Sequence, residues 1–332
     1  MDKVVQNMVQ TDELIVAIDL GGTHFRIMLA TRDGRRLRGA RKHTRADEGA
    51  PAVLDRLVAG VRELLANQSP SRVLGVGVAA PGPIDPWSGV IHSPPNLPGW
   101  DRLRLRDILQ ERLGLPVWAG NDANLAALGE HRFGCGKGVD DLVYLTISTG
   151  IGGGIISRGA LLLGTHGLAA EVGHLVLEPE GPLCGCGQHG CLEAVAAGPA
   201  IAREAGARVA GGEPSILRDL LVEGSGPLTA EMVVRAARQG DRLAGGVVHR
   251  AAVYVGMGVA ALVHLLDPAL VVIGGGVSNA GDLLFGPVRE TFRRRTMPVY
   301  HDGVQIVPAS LGDDAGLWGA VALVLGQEGE PG

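Results

Sequence analysis

Three cysteines and one histidine near the middle of the chain have the types and spacing of metal ligands. Cys184, Cys186 and Cys191 fall within eight residues, and His174 lies ten residues before the first of them. Three thiolates and one imidazole complete a tetrahedral shell, so a zinc ion held there keeps no open position for a catalytic water. The spacing therefore predicts a structural zinc site. The alternative is a turn of reduced cysteines that binds nothing.

Two carboxylates flank this cluster. Glu171 lies three residues before His174, and Glu193 lies two residues after Cys191. A closed metal site fixes the loop that surrounds it, so both carboxylates would be held in place. The arrangement predicts a shaped pocket for a polar ligand. If the cysteines bind no metal, the two glutamates have no common role.

Glycine-rich turns occur three times, each next to an apolar strand. They lie at residues 19–23, 149–154 and 274–276. Glycines let backbone N–H groups approach phosphate oxygens because no Cβ stands in the way. A tight hairpin explains any one such turn, but three together predict a nucleotide clamped between two related halves. An aspartate in the first turn would hold Mg²⁺ through water. The candidate nucleotide-binding residues are Asp19, Gly21, Gly22, Thr23, Thr149, Gly150, Gly275 and Gly276.

Two other nucleotide-binding motifs are excluded by their context. Residues 75–80, GVGVAA, match the letters of a dinucleotide fingerprint, which requires a helix to begin there. The following residues, 81–83, are Pro-Gly-Pro and do not continue as a helix. A Walker A loop is also absent, because Lys137 is followed by glycine.

Asp122 is the candidate catalytic residue. It follows Asn121 where a predicted strand ends and a predicted helix begins. An aspartate at such a junction is commonly an N-cap, which is the alternative interpretation. With a phosphate clamp, a magnesium carboxylate and two carboxylates on a zinc loop, however, the chain holds the set needed to transfer a phosphoryl group to a hydroxyl. Such a transfer needs a carboxylate that orients the nucleophile and accepts its proton.

The bulk composition fits an enzyme of the cytoplasm. The 332 residues suffice for two domains, and 46% of them are hydrophobic. A net charge of −5 gives no basis for nucleic-acid binding. Only Cys135 remains outside the metal cluster, which favours a reducing compartment. The N-terminus lacks the apolar core of a secretory signal. Residues 251–266 are too short to span a bilayer, so we expect no membrane partner.

Strands and helices alternate in a way that predicts an α/β fold. Apolar and alternating stretches predict strands at residues 14–20, 25–31, 36–43, 73–80, 116–119, 269–277 and 304–310, and two strands joined by a glycine-rich turn over 142–157. Helical spacing predicts helices at residues 47–67, 103–113, 123–133, 282–295 and 314–325, with further helices between 199 and 266.

These motifs together resemble the ROK family, named for repressor, open reading frame and kinase, from Leu14 to about Leu325. Residues 19–23 resemble its phosphate-1 turn, residues 149–154 its phosphate-2 turn, and residues 274–276 its adenosine-side glycines. Asn121-Asp122 resembles its sugar-binding asparagine and catalytic aspartate. The run from Glu171 to Glu193 is similar to its specific zinc-and-sugar signature.

The resemblance implies the actin-like (ribonuclease H-like, hexokinase-type) ATPase fold, with two α/β domains and a cleft between them. We expect an N-terminal tail over residues 1–13, a small domain over 14–119 plus 314–332, and a large domain over 120–313. It implies ATP, Mg²⁺ and a structural Zn²⁺ as cofactors. We also expect a homo-oligomer, either a dimer or a tetramer.

The resemblance also implies the residues that contact the sugar. His174 would serve both zinc and sugar, because its two ring nitrogens can take different partners. The chain departs from the family pattern at His24, where lysine or asparagine is common, and at Pro83. The implied sugar-binding residues are Gly82, Asn96, Asn121, Asp122, Glu171, His174 and Glu193.

The implied activity is ATP-dependent phosphorylation of glucose at its 6-hydroxyl, with Asp122 as general base. Residues 96–100, Asn-Leu-Pro-Gly-Trp, and the phosphate-2 turn resemble the family's glucokinases most, with mannose as a candidate second substrate. Residues 133–204 also resemble N-acetylmannosamine kinases, so an aminosugar or other hexose kinase is the alternative. The choice between ATP and polyphosphate as donor, the oligomeric state and the regulation are left open.

The same family resemblance also allows two functions other than catalysis, a transcriptional repressor and a sugar sensor. Family repressors carry an N-terminal helix-turn-helix domain, and the 13 residues before Leu14 are too few for three helices and carry no basic cluster. A sugar sensor without catalysis would be expected to lack Asp122 or the phosphate turns, and all of these are intact.

Overall fold

The computed structural model describes residues 13–92, 94, 96–222 and 226–327. They form two compact units. The first comprises the described residues of 1–138, 161–169 and 313–332, and the second comprises 139–160 and 170–312. Of the expected N-terminal tail, residues 1–12 lie outside the described part of the chain.

The strands of the described residues number thirteen and belong to three sheets. They are β1 (Leu14–Leu20), β2 (His24–Thr31), β3 (Arg36–His43), β4 (Val73–Ala80), β5 (Ile84–Asp85), β6 (Val90–Ile91), β7 (Leu103–Arg104), β8 (Val117–Asn121), β9 (Leu142–Ile147), β10 (Ile151–Ser157), β11 (Ala160–Leu161), β12 (Leu270–Gly274) and β13 (Gln305–Pro308).

The α-helices of the described residues lie close to the predicted helical segments, except for a short helix at residues 192–196 that was not predicted. They are α1 (Ala50–Leu65), α2 (Leu105–Leu113), α3 (Asp122–Phe133), α4 (Leu192–Ala196), α5 (Gly198–Ala210), α6 (Leu217–Val222), α7 (Ala230–Arg238), α8 (Arg242–Leu266), α9 (Asp282–Arg295) and α10 (Ala315–Gly326).

The first unit is built on a five-stranded sheet in the order β3-β2-β1-β4-β8. β1, β2 and β3 are antiparallel neighbours, while β4 and β8 run parallel to β1. Helices α1 and α2 cover one face of this sheet, and α3 and α10 cover the other. Both faces of β1 and β4 are therefore buried, which explains why their sequences are apolar except for Asp19 near the end of β1. The small sheet β5-β6-β7 belongs to the same unit.

Helix α3 lies in the first unit because it packs closely against α10. A Cβ on Gly129 of α3 would lie 2.8 Å from the backbone nitrogen of Gly319, and a Cβ on Gly319 would lie 1.7 Å from the Leu125 carbonyl oxygen. Only glycines allow the two backbones to approach so closely. The compact unit consequently extends to Gly138, beyond the boundary expected at residues 119/120.

The second unit repeats the strand pattern of the first. Its sheet has the order β11-β10-β9-β12-β13, in which β9 and β10 are antiparallel and β12 runs parallel to both β9 and β13. Helices α4, α5, α7, α8 and α9 build the core around β9 and β12. Two hairpins of the same kind thus carry the two phosphate turns, β1–β2 in the first unit and β9–β10 in the second.

Within the described residues, α8 is the one helix whose length and apolar composition would suit a membrane span. Its apolar side chains pack against α4, α5, α7 and α9, and residues such as Val247, Val255 and Val259 are fully buried. The same composition is expected of a core helix, as the sequence predicts for residues 251–266.

Candidate active site

The phosphate-1 turn is a tight hairpin tip between β1 and β2. The N–H of Gly21 donates to the carbonyl of His24 at 3.0 Å and closes the turn. Thr44, which is fully buried, supports it from the end of β3. Its N–H donates to the carbonyl of Thr23 at 2.8 Å, and its Oγ1 donates to the carbonyl of Gly21 at 2.6 Å. Thr44 therefore fixes the backbone whose N–H groups would face a phosphate.

Asn96 lies against the phosphate-1 turn. A Cβ on Gly22 would come within 2.8 Å of the Asn96 carbonyl oxygen and 2.9 Å of its Cβ. The glycine is therefore required by the packing of the loop at residues 96–100. The structure brings a predicted sugar residue and a predicted nucleotide residue into contact, with the side chain of Asn96 exposed.

His24, the departure from the family pattern, lies beside this turn. Its ring centroid is 4.4 Å from that of His43, and its Nδ1 lies 3.3 Å from a guanidinium nitrogen of Arg41. Desolvation lowers the pKa of His24, and the positive charges of Arg41 and His43 lower it further.

Asp19 is the penultimate residue of β1 and forms an ion pair with Arg26 directly across the hairpin. The second terminal nitrogen of Arg26 lies 3.5 Å from Oδ1 of Asp314, and Arg36 donates to Oδ2 of Asp314 at 2.8 Å. Burial raises the pKa of the Asp19 carboxyl, while Arg26 acts against that rise. The register of β1 and β2 brings Asp19 opposite Arg26, and the packing of α10 brings Asp314 to the same guanidinium.

Asn121, and not Asp122, is the N-cap of α3. The Oδ1 of Asn121 accepts the N–H groups of Ala123 at 2.9 Å and Asn124 at 3.1 Å. Asp122 is the first residue of the helix, is exposed, and accepts the N–H of Ala123 at 2.8 Å. A carboxylate at this position is favoured by the positive end of the helix dipole. The N-cap interpretation thus applies to its neighbour.

Gly82 leaves room for the amide of Asn121. A Cβ on Gly82 would lie 2.7 Å from Nδ2 of Asn121. Because Oδ1 is used by the helix cap, Nδ2 is the atom of this amide that can donate to a ligand. The first unit therefore brings Gly82, Asn121 and Asp122 together at one end of β4 and β8.

In the second unit, Glu193 connects the phosphate-2 turn to the cysteine cluster. Its Oε2 accepts the N–H of Ile151 at 2.9 Å, and its Oε1 lies 3.7 Å from Sγ of Cys184. A Cβ on Gly150 would lie 2.5 Å from Oε2, so the glycine admits the carboxylate. Glu193 lies in the first turn of α4, directly after Cys191. The structure therefore gives this predicted sugar residue a second, internal role.

The four predicted metal ligands converge. Their donor atoms lie within 4.8 Å of one another. Sγ of Cys186 is 3.7 Å from Sγ of Cys191, and Sγ of Cys184 is 3.7 Å from Nδ1 of His174. With Zn–S bonds of about 2.3 Å, a tetrahedral ion separates two sulfurs by about 3.8 Å. The donor set and its spacing therefore fit zinc.

Burial affects the thiols of this cluster unequally. It raises the pKa of Cys191 to about 12 and raises that of Cys184 as well. A hydrogen bond from the Gln188 backbone lowers the pKa of Cys186. Zinc binds thiolates, so the ion would displace protons from the two buried thiols.

Glu171 precedes the 3-10 turn Val172–His174, His174 is the last residue of that turn, and both side chains are exposed. A Cβ on Gly173 would lie 2.0 Å from the Ile151 carbonyl oxygen, so this turn packs directly on β10. His174 directs Nδ1 at Cys184, which leaves Nε2 on the opposite side of the ring for another partner.

A cavity of about 810 Å³ lies in the second unit beside the phosphate-2 turn. Thr149 and Gly276, both predicted nucleotide residues, line it together with the start of α5 and one face of α7. Gly275 makes the turn after β12 with φ 82°, and a Cβ there would lie 2.5 Å from the Ile147 carbonyl oxygen. The α7 residues of the lining, which no sequence motif indicated, are Ala230, Glu231, Val234, Arg235 and Arg238.

The sequence profile of the ROK family matches residues 15–327. The match covers nearly the whole chain, so the chain belongs to the ROK family. Its fold is the actin-like fold of the family's sugar kinases.

Curated relatives include two kinds of sugar kinase. The glucokinase of Thermotoga maritima is 38% identical over 313 residues, which are 93% of this chain and 96% of that protein. The N-acetylmannosamine kinase of Escherichia fergusonii is 34% identical over 94% of this chain and 99% of that protein.

Solved structures add a third kind of relative. A ROK family glucokinase from Streptomyces griseus, in complex with glucose and AMPPNP, is 38% identical with a TM-score of 0.80, over 93% of this chain and 98% of that one. A ROK family transcriptional regulator, described as a homologue of the E. coli MLC protein, is 29% identical with a TM-score of 0.85. That alignment covers 95% of this chain and 78% of the regulator. The fold is therefore shared by kinases and regulators, so the fold alone does not determine the function of this chain.

Proposed function

We propose that this protein is an ATP-dependent glucokinase that transfers the γ-phosphoryl group to the 6-hydroxyl of glucose. The observation that carries the proposal is the exposed carboxylate of Asp122 at the start of α3, where Asn121 already caps the helix. A carboxylate at the start of a helix is well placed to act as a general base on a bound hydroxyl. The glucokinases at 38% identity over nearly the full chain support glucose as the substrate.

Asp122 would accept the proton of the sugar hydroxyl as that oxygen attacks phosphorus. In phosphoryl transfer the protein contributes mainly positioning and electrostatic stabilisation, so one oriented base suffices. The Nδ2 of Asn121 would donate to a neighbouring sugar hydroxyl, since its Oδ1 is occupied by the cap. Gly82 and Asn96 would contribute the remaining sugar contacts of the first unit.

The second unit would supply acceptors for the other sugar hydroxyls. Glu171 and Nε2 of His174 are exposed on the 3-10 turn that packs on β10. Glu193 would contact sugar from a position fixed by the N–H of Ile151. A site with charged acceptors discriminates against sugars that leave those acceptors unpaired.

The nucleotide would bind through both glycine turns and the cavity. The backbone N–H groups of residues 21–23 and 149–150 suit phosphate oxygens. The 810 Å³ cavity beside Thr149 and Gly276 is large enough for adenosine. Its position next to the phosphate-2 turn supports ATP as the donor.

We further propose a structural zinc ion held by Cys184, Cys186, Cys191 and Nδ1 of His174. When bound, it would stabilise the loop that carries Glu171 and Glu193, and with four protein ligands it would not act as a Lewis acid.

Asp19 would hold Mg²⁺ through water, because a single carboxylate suits an ion that keeps much of its hydration shell. The bound Mg²⁺ would neutralise charge on the phosphates. The reduced thiols of the cluster favour the cytoplasm.

A substrate panel tests this proposal. Release of ADP is measured with glucose, mannose, N-acetylmannosamine and N-acetylglucosamine, with Asp122→Asn as the control, and the phosphorylated position is identified by NMR. Glucose should give the highest kcat/KM and glucose 6-phosphate as product. A higher kcat/KM for N-acetylmannosamine would establish the alternative that the 34% identical kinase supports. Sugar binding without transfer would indicate a sugar-sensing regulator.

Replacing ATP by inorganic polyphosphate in the same assay identifies the donor. We expect sugar phosphorylation with ATP at every sugar concentration and much slower phosphorylation with polyphosphate. Activity restricted to polyphosphate would leave the sugar assignment intact and overturn the nucleotide assignment.

A further inference from the structure

Arg26 forms an ion pair with Asp19, the carboxylate to which the proposed function assigns magnesium. It lies opposite Asp19 in the register of β1 and β2, and the two side chains form an ion pair. Both are only partly exposed, at 26% for Arg26 and 17% for Asp19. An ion pair shielded from solvent in this way is stronger than one on an open surface.

A second acceptor for Arg26 lies close by. Its other terminal nitrogen is 3.5 Å from Oδ1 of Asp314, just before α10. Oδ2 of the same carboxylate accepts from Arg36 at 2.8 Å. The guanidinium of Arg26 therefore bridges two carboxylates, with the direct hydrogen bond going to Asp19. A small rotation of the side chain would exchange one partner for the other.

Magnesium and Arg26 compete for Asp19 on electrostatic grounds. The side chains of Asp19, Asp314, Arg26 and Arg36 together carry no net charge, and the carboxylate of Asp313, which also acts on Asp19, adds one negative charge. A divalent ion at Asp19 would place two further positive charges beside the Arg26 guanidinium. Repulsion at such distances is large where solvent screening is weak. Arg26 would consequently shift toward Asp314, the second carboxylate that its guanidinium already approaches.

We propose that Arg26 is a positioning residue that holds Asp19 in the magnesium-free protein and transfers to Asp314 when the magnesium nucleotide binds. The inference rests on the proposed function, which assigns Mg²⁺ to Asp19. In the absence of metal the carboxylate is kept oriented and neutralised. The ion pair therefore sets the Mg²⁺ concentration that the protein requires, and Asp314 determines how readily Arg26 leaves.

Calorimetry of ADP binding tests the inference without relying on turnover. The measured quantity is the ratio of the ADP Kd in EDTA to the ADP Kd in saturating Mg²⁺, which reports the coupling between metal and nucleotide. Arg26→Met removes the competitor and should raise this ratio about fivefold or more, the size of a modest coupling free energy. Asp314→Asn removes the alternative acceptor and should lower the ratio. The two variants thus shift the coupling in opposite directions.

Opposite shifts of the Kd ratio in the two variants distinguish the proposed role of Arg26 from a purely structural one. If the ion pairs only stabilised the sheet, both variants would shift the ratio in the same direction or leave it unchanged, and either result overturns the proposal. Arg32→Met is the matched control, because Arg32 directly follows β2 and pairs with Glu13 at 2.6 Å, away from Asp19. It should leave the ratio unchanged. Where Arg26→Met lowers the melting temperature too far for calorimetry, Arg26→Lys keeps the charge with a single donor group, and its ratio should lie above that of the wild type.

Asp19→Asn distinguishes failure of this inference from failure of the proposed function. If ADP binds but the ratio of its Kd values without and with Mg²⁺ is the same in Asp19→Asn and the wild type, Asp19 does not bind magnesium. The magnesium assignment is then wrong in both the proposed function and this inference. If Asp19→Asn abolishes the coupling while Arg26→Met leaves it unchanged, the magnesium site stands and the role of Arg26 is wrong.

Discussion

The Oε2 of Glu193 accepts the backbone N–H of Ile151 at 2.9 Å. This bond joins α4, which begins directly after the metal ligand Cys191, to the start of β10, which lies within the phosphate-2 turn. One carboxylate thereby connects the proposed zinc loop to the proposed nucleotide site. Loss of zinc and loss of nucleotide positioning are therefore expected to be coupled through Glu193.

Glu193→Ala should destabilise the protein and impair substrate binding together. It leaves the N–H of Ile151 without its partner, which costs about 1–3 kcal/mol for a buried donor. We expect a lower melting temperature and higher KM values for both glucose and ATP. Glu180→Gln is the control, since Glu180 is an exposed carboxylate of the same loop. Unchanged KM values in Glu193→Ala would mean that the carboxylate has only a structural role.

Asp122→Asn should reduce kcat with little change in stability. The helix keeps its cap because Oδ1 of Asn121 accepts the N–H groups of Ala123 and Asn124, and asparagine at 122 retains an oxygen that can accept the N–H of Ala123. Loss of a positioned general base typically costs ~10²–10⁴-fold in rate. Steady-state kinetics and a melting curve measure the two quantities. Should the variant keep more than about a tenth of the wild-type kcat, Asp122 is not the general base.

Purified protein should contain about one zinc ion per chain, as expected for a closed site with three cysteines and one histidine. Cys184→Ser should lower the zinc content and the melting temperature, and it should raise the KM for glucose through Glu171 and Glu193. Cys135→Ser is the matched control, because Cys135 lies in the other unit. Metal analysis, melting curves and kinetics are compared for the three proteins. A zinc-free preparation with normal melting and activity contradicts the assignment.

Thr44→Val should loosen the phosphate-1 turn while it preserves side-chain volume. It removes the hydroxyl that donates to the Gly21 carbonyl at 2.6 Å. A lost hydrogen bond with a buried partner costs about 1–3 kcal/mol. We expect a lower melting temperature and a raised KM for ATP, whereas Thr44→Ser keeps the donor and should resemble the wild type. Equal behaviour of the two variants would exclude a role for the hydroxyl.

Local spacing determined much of this protein from sequence alone. The metal ligands lie within 18 residues, so their convergence depends on one loop. The phosphate turns are hairpin tips, whose glycines and flanking apolar strands are adjacent in the chain. The predicted helices at 103–113, 123–133 and 282–295 agree with α2, α3 and α9 to within a residue or two. In each case the interactions that fix the geometry join near neighbours.

Tertiary structure decided the features that join distant segments. The placement of α3 in the first unit depends on Gly129 meeting Gly319, and the second partner of Arg26 is supplied by Asp314. Whether Asn121 or Asp122 is the N-cap of α3 depends on the residue at which the helix begins. A shift of one residue in that position is not fixed by the sequence pattern alone. The α7 face of the cavity likewise carries no motif. Contacts between segments far apart in sequence are set by the packing of whole helices on sheets, which no local pattern encodes.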